Sequence, residues 1–299
     1  MTPDIEATAG IKALPWLASI FQAAGQSHFV EVEGRRLHYL EWGAQHTTGP
    51  VLLLVHGLRA HARWWDCIAP LLAERFRVLA LDLSGMGDSD HRDVYPAQFA
   101  SMDIVDLIER RVGSPVIGIG HSFGGSRLLR ACVNRPDLFQ RLIICDSFIL
   151  FKGVDIPPDT ASTASRRYYP DQRSAISRYR LMPEQPGVNA DILQHIACHS
   201  VRETSEGWCW KFDIGLPRGV RHEEWGENLL PQVRRPVDVV FGECSVIVDQ
   251  ALASRAVELL PFGRGPYRVA DAHHHMMIDQ PEAMLATLRT LLSIGESHE

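Results

Sequence analysis

Gly120-His121-Ser122-Phe123-Gly124, followed by Gly125, is the segment of this 299-residue chain whose residue types point most directly to chemistry. It follows a short apolar run, Val116–Ile119, and precedes a helical pattern. That is the setting of a strand-to-helix turn that lifts a serine out of the backbone. The reason is steric. A serine forced into a strained turn needs neighbours without side chains, and Gly120 and Gly124 supply the room. The helix that follows aims its N-terminal N–H groups and its dipole at the place where negative charge would develop. Such a serine is suited to nucleophilic attack on an acyl carbon.

Two further groups can serve that reaction. His56-Gly57-Leu58 follows the apolar run Val51–Val55, and a strand ending in His-Gly lets the chain turn sharply. The N–H of Leu58, paired with that of Phe123, would form a two-donor oxyanion hole. A general base is expected from a loop late in the chain, and His273-His274-His275 lies there. Consecutive histidines do not converge easily on one ion, so a metal reading is not favoured. His195 and His199 have helical i, i+4 spacing, but the glutamate of H-E-x-x-H is absent. No metal and no organic cofactor is expected.

The elements that must position these groups can be read from periodicity. Val51–Val55, Val78–Leu81, Val116–Ile119, Leu142–Cys145 and Val237–Phe241 are short, mostly apolar runs that suit strands buried on both faces of a parallel sheet. Helical patterns at Trp64–Arg75, Ala97–Arg111, Ser126–Asn134 and Ala251–Leu260 lie between them. Alternation of strand and helix implies right-handed crossovers and an α/β, doubly wound sheet. Phe29–Trp42 alternates about Gly34 as an antiparallel hairpin would. Residues 11–24 predict an amphipathic helix interrupted by Pro15. Residues 151–230 break the rhythm, with Pro157-Pro158, Arg166-Arg167, Tyr168-Tyr169, Trp208, Trp210 and Trp225, and predict an inserted, mainly helical subdomain.

Composition excludes several classes. With 45% hydrophobic and 22% charged residues the chain has the balance of an ordinary globular protein. A net charge of -6 and scattered arginines argue against nucleic-acid binding and a basic membrane-surface patch. No apolar run approaches membrane-spanning length. Six cysteines without a C-x-x-C pair read as reduced and mostly buried thiols. Asp4 and Glu6, with Lys12 the lone early base, do not make the n-region of a secretion signal, so a cytoplasmic location is expected. The expected partner is a small-molecule substrate.

On these motifs the chain resembles the α/β-hydrolase-fold family, from about residue 29 to 295. Asp82-Leu83-Ser84-Gly85-Met86-Gly87-Asp88-Ser89 resembles the family's D-x-x-G-x-G-x-S loop, and the inserted segment falls where the family carries its cap. Residues 1–28, ahead of that match, are expected to form a helical extension; the resemblance implies a core over 29–150 and 231–299 and a cap over 151–230. In the family the catalytic histidine lies seven residues before the proline of a closing x-P-E stretch; Pro281-Glu282 then selects His274. Members with dehalogenase or epoxide hydrolase activity carry aspartate where Ser122 stands, so the resemblance favours acyl chemistry.

The acid departs from the pattern. The family's usual G-x-x-D turn reads Gly242-Glu243-Cys244-Ser245 here. Asp146, ending the Leu142–Cys145 strand, is the favoured replacement. Glu243 and Asp249 are the alternatives, and a Ser-His dyad is a fourth arrangement. The expected protein is a serine hydrolase of an ester or related acyl bond in a small, largely apolar substrate, with Ser122, His274 and Asp146 acting together. His56, Trp64, Trp208 and Trp210 are expected at the substrate pocket. Two rivals stand beside it: a cofactor-independent oxygenase or C–C bond hydrolase on the same fold, and a ligand-binding protein without activity.

Overall fold

Strand β3, Val51–Val55, is apolar at every position because both of its faces are covered. Val51, Leu53 and Val55 enter one hydrophobic cluster, and Leu52 and Leu54 enter a second on the opposite face. A strand alternates its side chains, so two covered faces require an uninterrupted apolar run. The computed structural model describes residues 16–153, 165–216 and 225–294.

The other strands are β1 (Gln26–Val32), β2 (Arg35–Trp42), β4 (Arg77–Leu81), β5 (Val116–His121), β6 (Phe139–Cys145), β7 (Val201–Thr204), β8 (Gly207–Trp210), β9 (Val237–Gly242) and β10 (Gly263–Val269). Eight of them form one sheet in the order β1-β2-β4-β3-β5-β6-β9-β10. β1 and β2 pair antiparallel, β2 meets β4 antiparallel, and the pairs from β4 onward are parallel. The hairpin turns on Glu33 and Gly34, both at positive φ. That is the two-residue turn whose twist matches its strands. All five apolar runs predicted as parallel strands are strands of this sheet.

The helices are α1 (Leu17–Gln22), α2 (Ala69–Leu72), α3 (Phe99–Leu107), α4 (Phe123–Asn134), α5 (Gln172–Ile176), α6 (Ala190–His199), α7 (Gly226–Leu229), α8 (Gln250–Leu259), α9 (Met276–Asp279) and α10 (Pro281–Ile294). The helix expected over Trp64–Arg75 breaks into a 3-10 turn, Ala62–Trp65, and the short α2, with Pro70 in its first turn. Proline suits a first turn and cannot continue a preceding one. The prediction missed β10, whose Gly263, Gly265 and Pro266 disguise an edge strand.

The segment between β6 and β9 is not purely helical. It carries α5, α6 and α7 and also the antiparallel ribbon β7-β8. The alternation of Val201–Trp210 is too short to stand out among the aromatic residues around it. Pro157 and Pro158 lie outside the described residues, as do residues 11–15 of the predicted N-terminal helix. Its described part, α1, buries Leu17 and stacks Phe21 on His195 of α6, ring centroids 4.0 Å apart. Among the described residues no helix is long and apolar enough to cross a membrane.

Candidate active site

Ser122 sits between β5 and α4 with φ +54 and ψ -121, a conformation that side chains rarely adopt. The turn holds because its neighbours are bare. A Cβ at Gly124 would lie 2.4 Å from the carbonyl oxygen of Val55 and 2.5 Å from that of His56, and one at Gly120 would lie 2.6 Å from the nitrogen of Gly125. Those approaches are below contact distance, so the turn closes only with glycine at both places. The Ser122 N–H donates to the Cys145 carbonyl, tying the turn to the end of β6.

His274 comes from the loop between β10 and α9. Its Nε2 lies 3.0 Å from Ser122 Oγ, and its Nδ1 lies 2.6 Å from Asp146 Oδ2. A carboxylate can only accept, so Nδ1 carries the proton and Nε2 faces the serine hydroxyl as acceptor. Asp146 follows the last residue of β6 at φ +45 and is fully buried. It also accepts from Ser245 Oγ at 2.6 Å and from the Gly242 N–H at 3.0 Å. Three donors replace the water that burial removed from the carboxylate.

The two alternative acids lie elsewhere. Glu243 accepts from Arg268 at 2.6 Å and from the Asp271 N–H at 3.1 Å. Asp249 is the N-cap of α8 and accepts from the Leu252 N–H at 2.8 Å. His273 turns to Asp279, with Nδ1 2.9 Å from the carboxylate. His275 packs edge-on against Trp64, and burial first, then His274 beside it, pushes its imidazole down to about 3.

A cavity of about 450 Å³ lies above Ser122. Its wall joins core residues (Leu58, Trp64, His121 and His275 among them) to Tyr179, Leu181, Trp210 and Phe212 of the inserted segment. Of the residues expected at the substrate pocket, Trp64 and Trp210 are on the wall of this cavity and His56 and Trp208 are not. His56 is buried with Nδ1 2.7 Å from the Gly57 carbonyl and Nε2 accepting the Leu83 N–H at 3.2 Å, so both ring nitrogens brace the loop. Burial lowers its imidazole, which suits the neutral tautomer those bonds require. Trp208 lies two residues along β8 from Trp210, about 7 Å by strand geometry. There its backbone pairs with Tyr169.

Sequence reasoning missed His121. Its Nε2 donates to the His274 carbonyl at 2.8 Å, which ties the loop bearing His274 to the residue beside Ser122. Burial, with His274 and His275 adjacent, holds its imidazole well below the ordinary range. Its position inside the G-x-S-x-G segment was the available signal. The loop Asp82–Ser89 is also locked: Asp82 accepts from His38, Ala62 and Asp88. Burial, the largest single influence, would raise that carboxyl, but the His38 bond and the charges of His38, His56 and His61 together outweigh it and hold the group low.

Among the described residues, three side-chain groups place possible metal-ligand atoms within 4.8 Å of one another: His121-His274-His275, Asp66-His195-His199 and His38-Asp82-Asp88. In the first, both nitrogens of His274 already bond to Asp146 and Ser122. In the second, His195 bonds Asp66 at 2.7 Å. In the third, Asp82 holds the donors just named.

Comparison with known proteins agrees with this architecture. The profile of the alpha/beta hydrolase family matches residues 52–287. The chain is 24% identical to a 2-(acetamidomethylene)succinate hydrolase of Mesorhizobium japonicum, over 82% of this chain and 88% of that one. It is also 24% identical to an esterase of Mycobacterium tuberculosis, over 98% and 99% of the two chains. A thioesterase domain from the curacin biosynthetic pathway superposes with a TM-score of 0.73 at 22% identity, covering 89% of this chain and 99% of that one. The profile match spans most of the sheet, the elbow and the histidine loop, and on it the chain belongs to the alpha/beta hydrolase family and is an enzyme of hydrolase type.

Proposed function

We propose that the protein is a serine hydrolase that cleaves an ester or related acyl bond of a small, largely apolar substrate through an acyl-enzyme. The observation that carries this reading is the unbroken chain from Ser122 Oγ through His274 to Asp146, at 3.0 and 2.6 Å. His274 takes the serine proton as Oγ attacks the acyl carbon, and Asp146 stabilises the imidazolium that forms. The N–H groups of Leu58 and Phe123 receive the developing oxyanion. Phe123 opens α4, so its N–H has no partner within the helix. His274 then protonates the leaving group, and water, activated by the same imidazole, releases the acid. The step needs no metal or organic cofactor.

Labelling with a fluorophosphonate, followed by a screen of esters and thioesters, tests the reading. Wild type should label and Ser122→Ala should not; equal labelling of both would overturn it. The position of Asp146 at the end of β6 also suits the second reading, a cofactor-independent oxygenase or C–C bond hydrolase. Oxygen uptake with an aromatic hydroxyketone, without ester turnover, would favour that alternative.

A further inference from the structure

Among the described residues, the charged side chains on the wall of the cavity above Ser122 are of one sign. Arg59, Arg178 and Arg180 are on its wall, and no aspartate or glutamate is among the described wall residues. The whole chain has the opposite bias, with 36 acidic against 30 basic residues. The arginines also converge from two parts of the fold. Arg59 follows Leu58 on the loop after β3, while Arg178 and Arg180 lie in the inserted segment between α5 and α6.

Each side has a feature that holds its charge at the wall. Arg59 has φ +60, in the left-handed region that glycine enters freely and arginine does not. Its Cζ lies 4.9 Å from the ring centroid of Phe212, another wall residue, so the guanidinium rests on an aromatic face. Arg180 donates through Nη1 to the carbonyls of Ser177 and Tyr179 at 3.0 and 2.6 Å, which anchors it to its own loop. Between them the wall is apolar, with Leu58, Trp64, Leu181, Met182 and Trp210. Apolar walls concentrate the field of a one-signed cluster, and guanidinium forks match carboxylate and phosphate oxygens.

We infer that the cavity takes an acyl substrate bearing an anionic group, a carboxylate or a phosphate, and that Arg59, Arg178 and Arg180 determine this specificity. The inference rests on Ser122 being the nucleophile of the same cavity. An anion entering an apolar cavity loses hydration, and the arginines are what replaces it. A neutral substrate of the same shape gains nothing from them, so discrimination follows from charge.

The test uses matched 4-nitrophenyl esters: glutarate with its second carboxyl free, and the same ester with that carboxyl methylated. A third arm is a thioester with phosphate on the leaving group, which distinguishes the two sources of charge. The charged ester should have the higher kcat/KM, by about tenfold, and the advantage should shrink as NaCl is raised. Arg178→Gln and Arg180→Gln should each reduce the charged-to-neutral ratio several-fold, with Arg178→Lys restoring part of it. A preference for the phosphate thioester, lost in the same variants, also supports the inference. Equal kcat/KM for charged and neutral esters, unaltered by salt, overturns it and leaves Ser122 untouched. Binding of both esters to Ser122→Ala, measured by calorimetry, separates the two failures. If wild type neither turns over an ester nor labels with the fluorophosphonate, but the charged ester binds more tightly in a salt-dependent way, the arginines' selection of an anion stands and the acyl part of the inference falls with the nucleophile reading.

Discussion

The hydroxyl of Ser245 donates to Oδ2 of Asp146 at 2.6 Å, and the same oxygen lies 2.6 Å from Nδ1 of His274. Ser245 closes the Gly242-Glu243-Cys244-Ser245 turn after β9, and its hydroxyl supports a carboxylate that arrives from β6. Its oxygen accepts from the N–H groups of Ile247 and Val248 at 3.1 and 3.2 Å, which leaves its proton for Asp146. Ser245→Ala should lower kcat by roughly tenfold with little change in KM, since it removes one of three donors that aim the carboxylate. Ser245→Thr should recover most of the loss. A variant with unchanged kcat would remove Ser245 from the site.

Asp146→Asn should lower kcat by roughly 10²–10⁴ while substrate binding changes little, because the amide no longer favours the required tautomer or stabilises the imidazolium. Glu243→Gln should cost far less, as Glu243 serves Arg268. Asp249→Ala should instead cost about 1 kcal/mol of stability, the usual worth of an N-cap. Steady-state kinetics beside thermal denaturation distinguishes the two effects.

Ser122→Ala and His274→Ala should each reduce turnover by several orders of magnitude and leave the circular dichroism spectrum unchanged. His273→Ala should lose less than about tenfold, because His273 bonds Asp279 rather than Ser122. An inactive His273→Ala with an active His274→Ala would shift the assignment by one residue.

Buried histidine gives the fold a pH dependence. His61 is held between Ser200 Oγ at 2.9 Å and the Ile196 carbonyl at 3.2 Å, and burial, its largest influence, pushes it down to about 3. The unfolded imidazole takes a proton near 6.5, so below that pH the unfolded state binds a proton that the folded state refuses. Its contribution is therefore complete above pH 6.5 and lost as pH falls toward 3. Between pH 7 and 5 this one group should cost about 2 kcal/mol. Urea denaturation of wild type and His61→Gln at both pH values should show the smaller drop in the variant. Equal drops would assign the acid lability elsewhere.

The elbow was legible because its physics is local. Gly120, Ser122 and Gly124 are covalent neighbours, and the steric demand of the turn acts over those few bonds. The strands β3, β4, β5, β6 and β9 were legible because burial on both faces leaves an apolar run in the text itself. His274 followed from its spacing to Pro281 once the resemblance was in place. The acid was different. Asp146, Glu243 and Asp249 are all carboxylates near strand or helix ends, and only the pairing of β6 with β9 brings Asp146 under Gly242 and Ser245 and within reach of His274. Tertiary structure also divided the pocket. It kept Trp64 and Trp210 on the wall, spent both nitrogens of His56 on the backbone, and set Trp208 further along its strand. It brought three arginines from distant segments to one cavity. Long-range convergence leaves no local trace, because the residues that meet are joined by packing and not by sequence spacing.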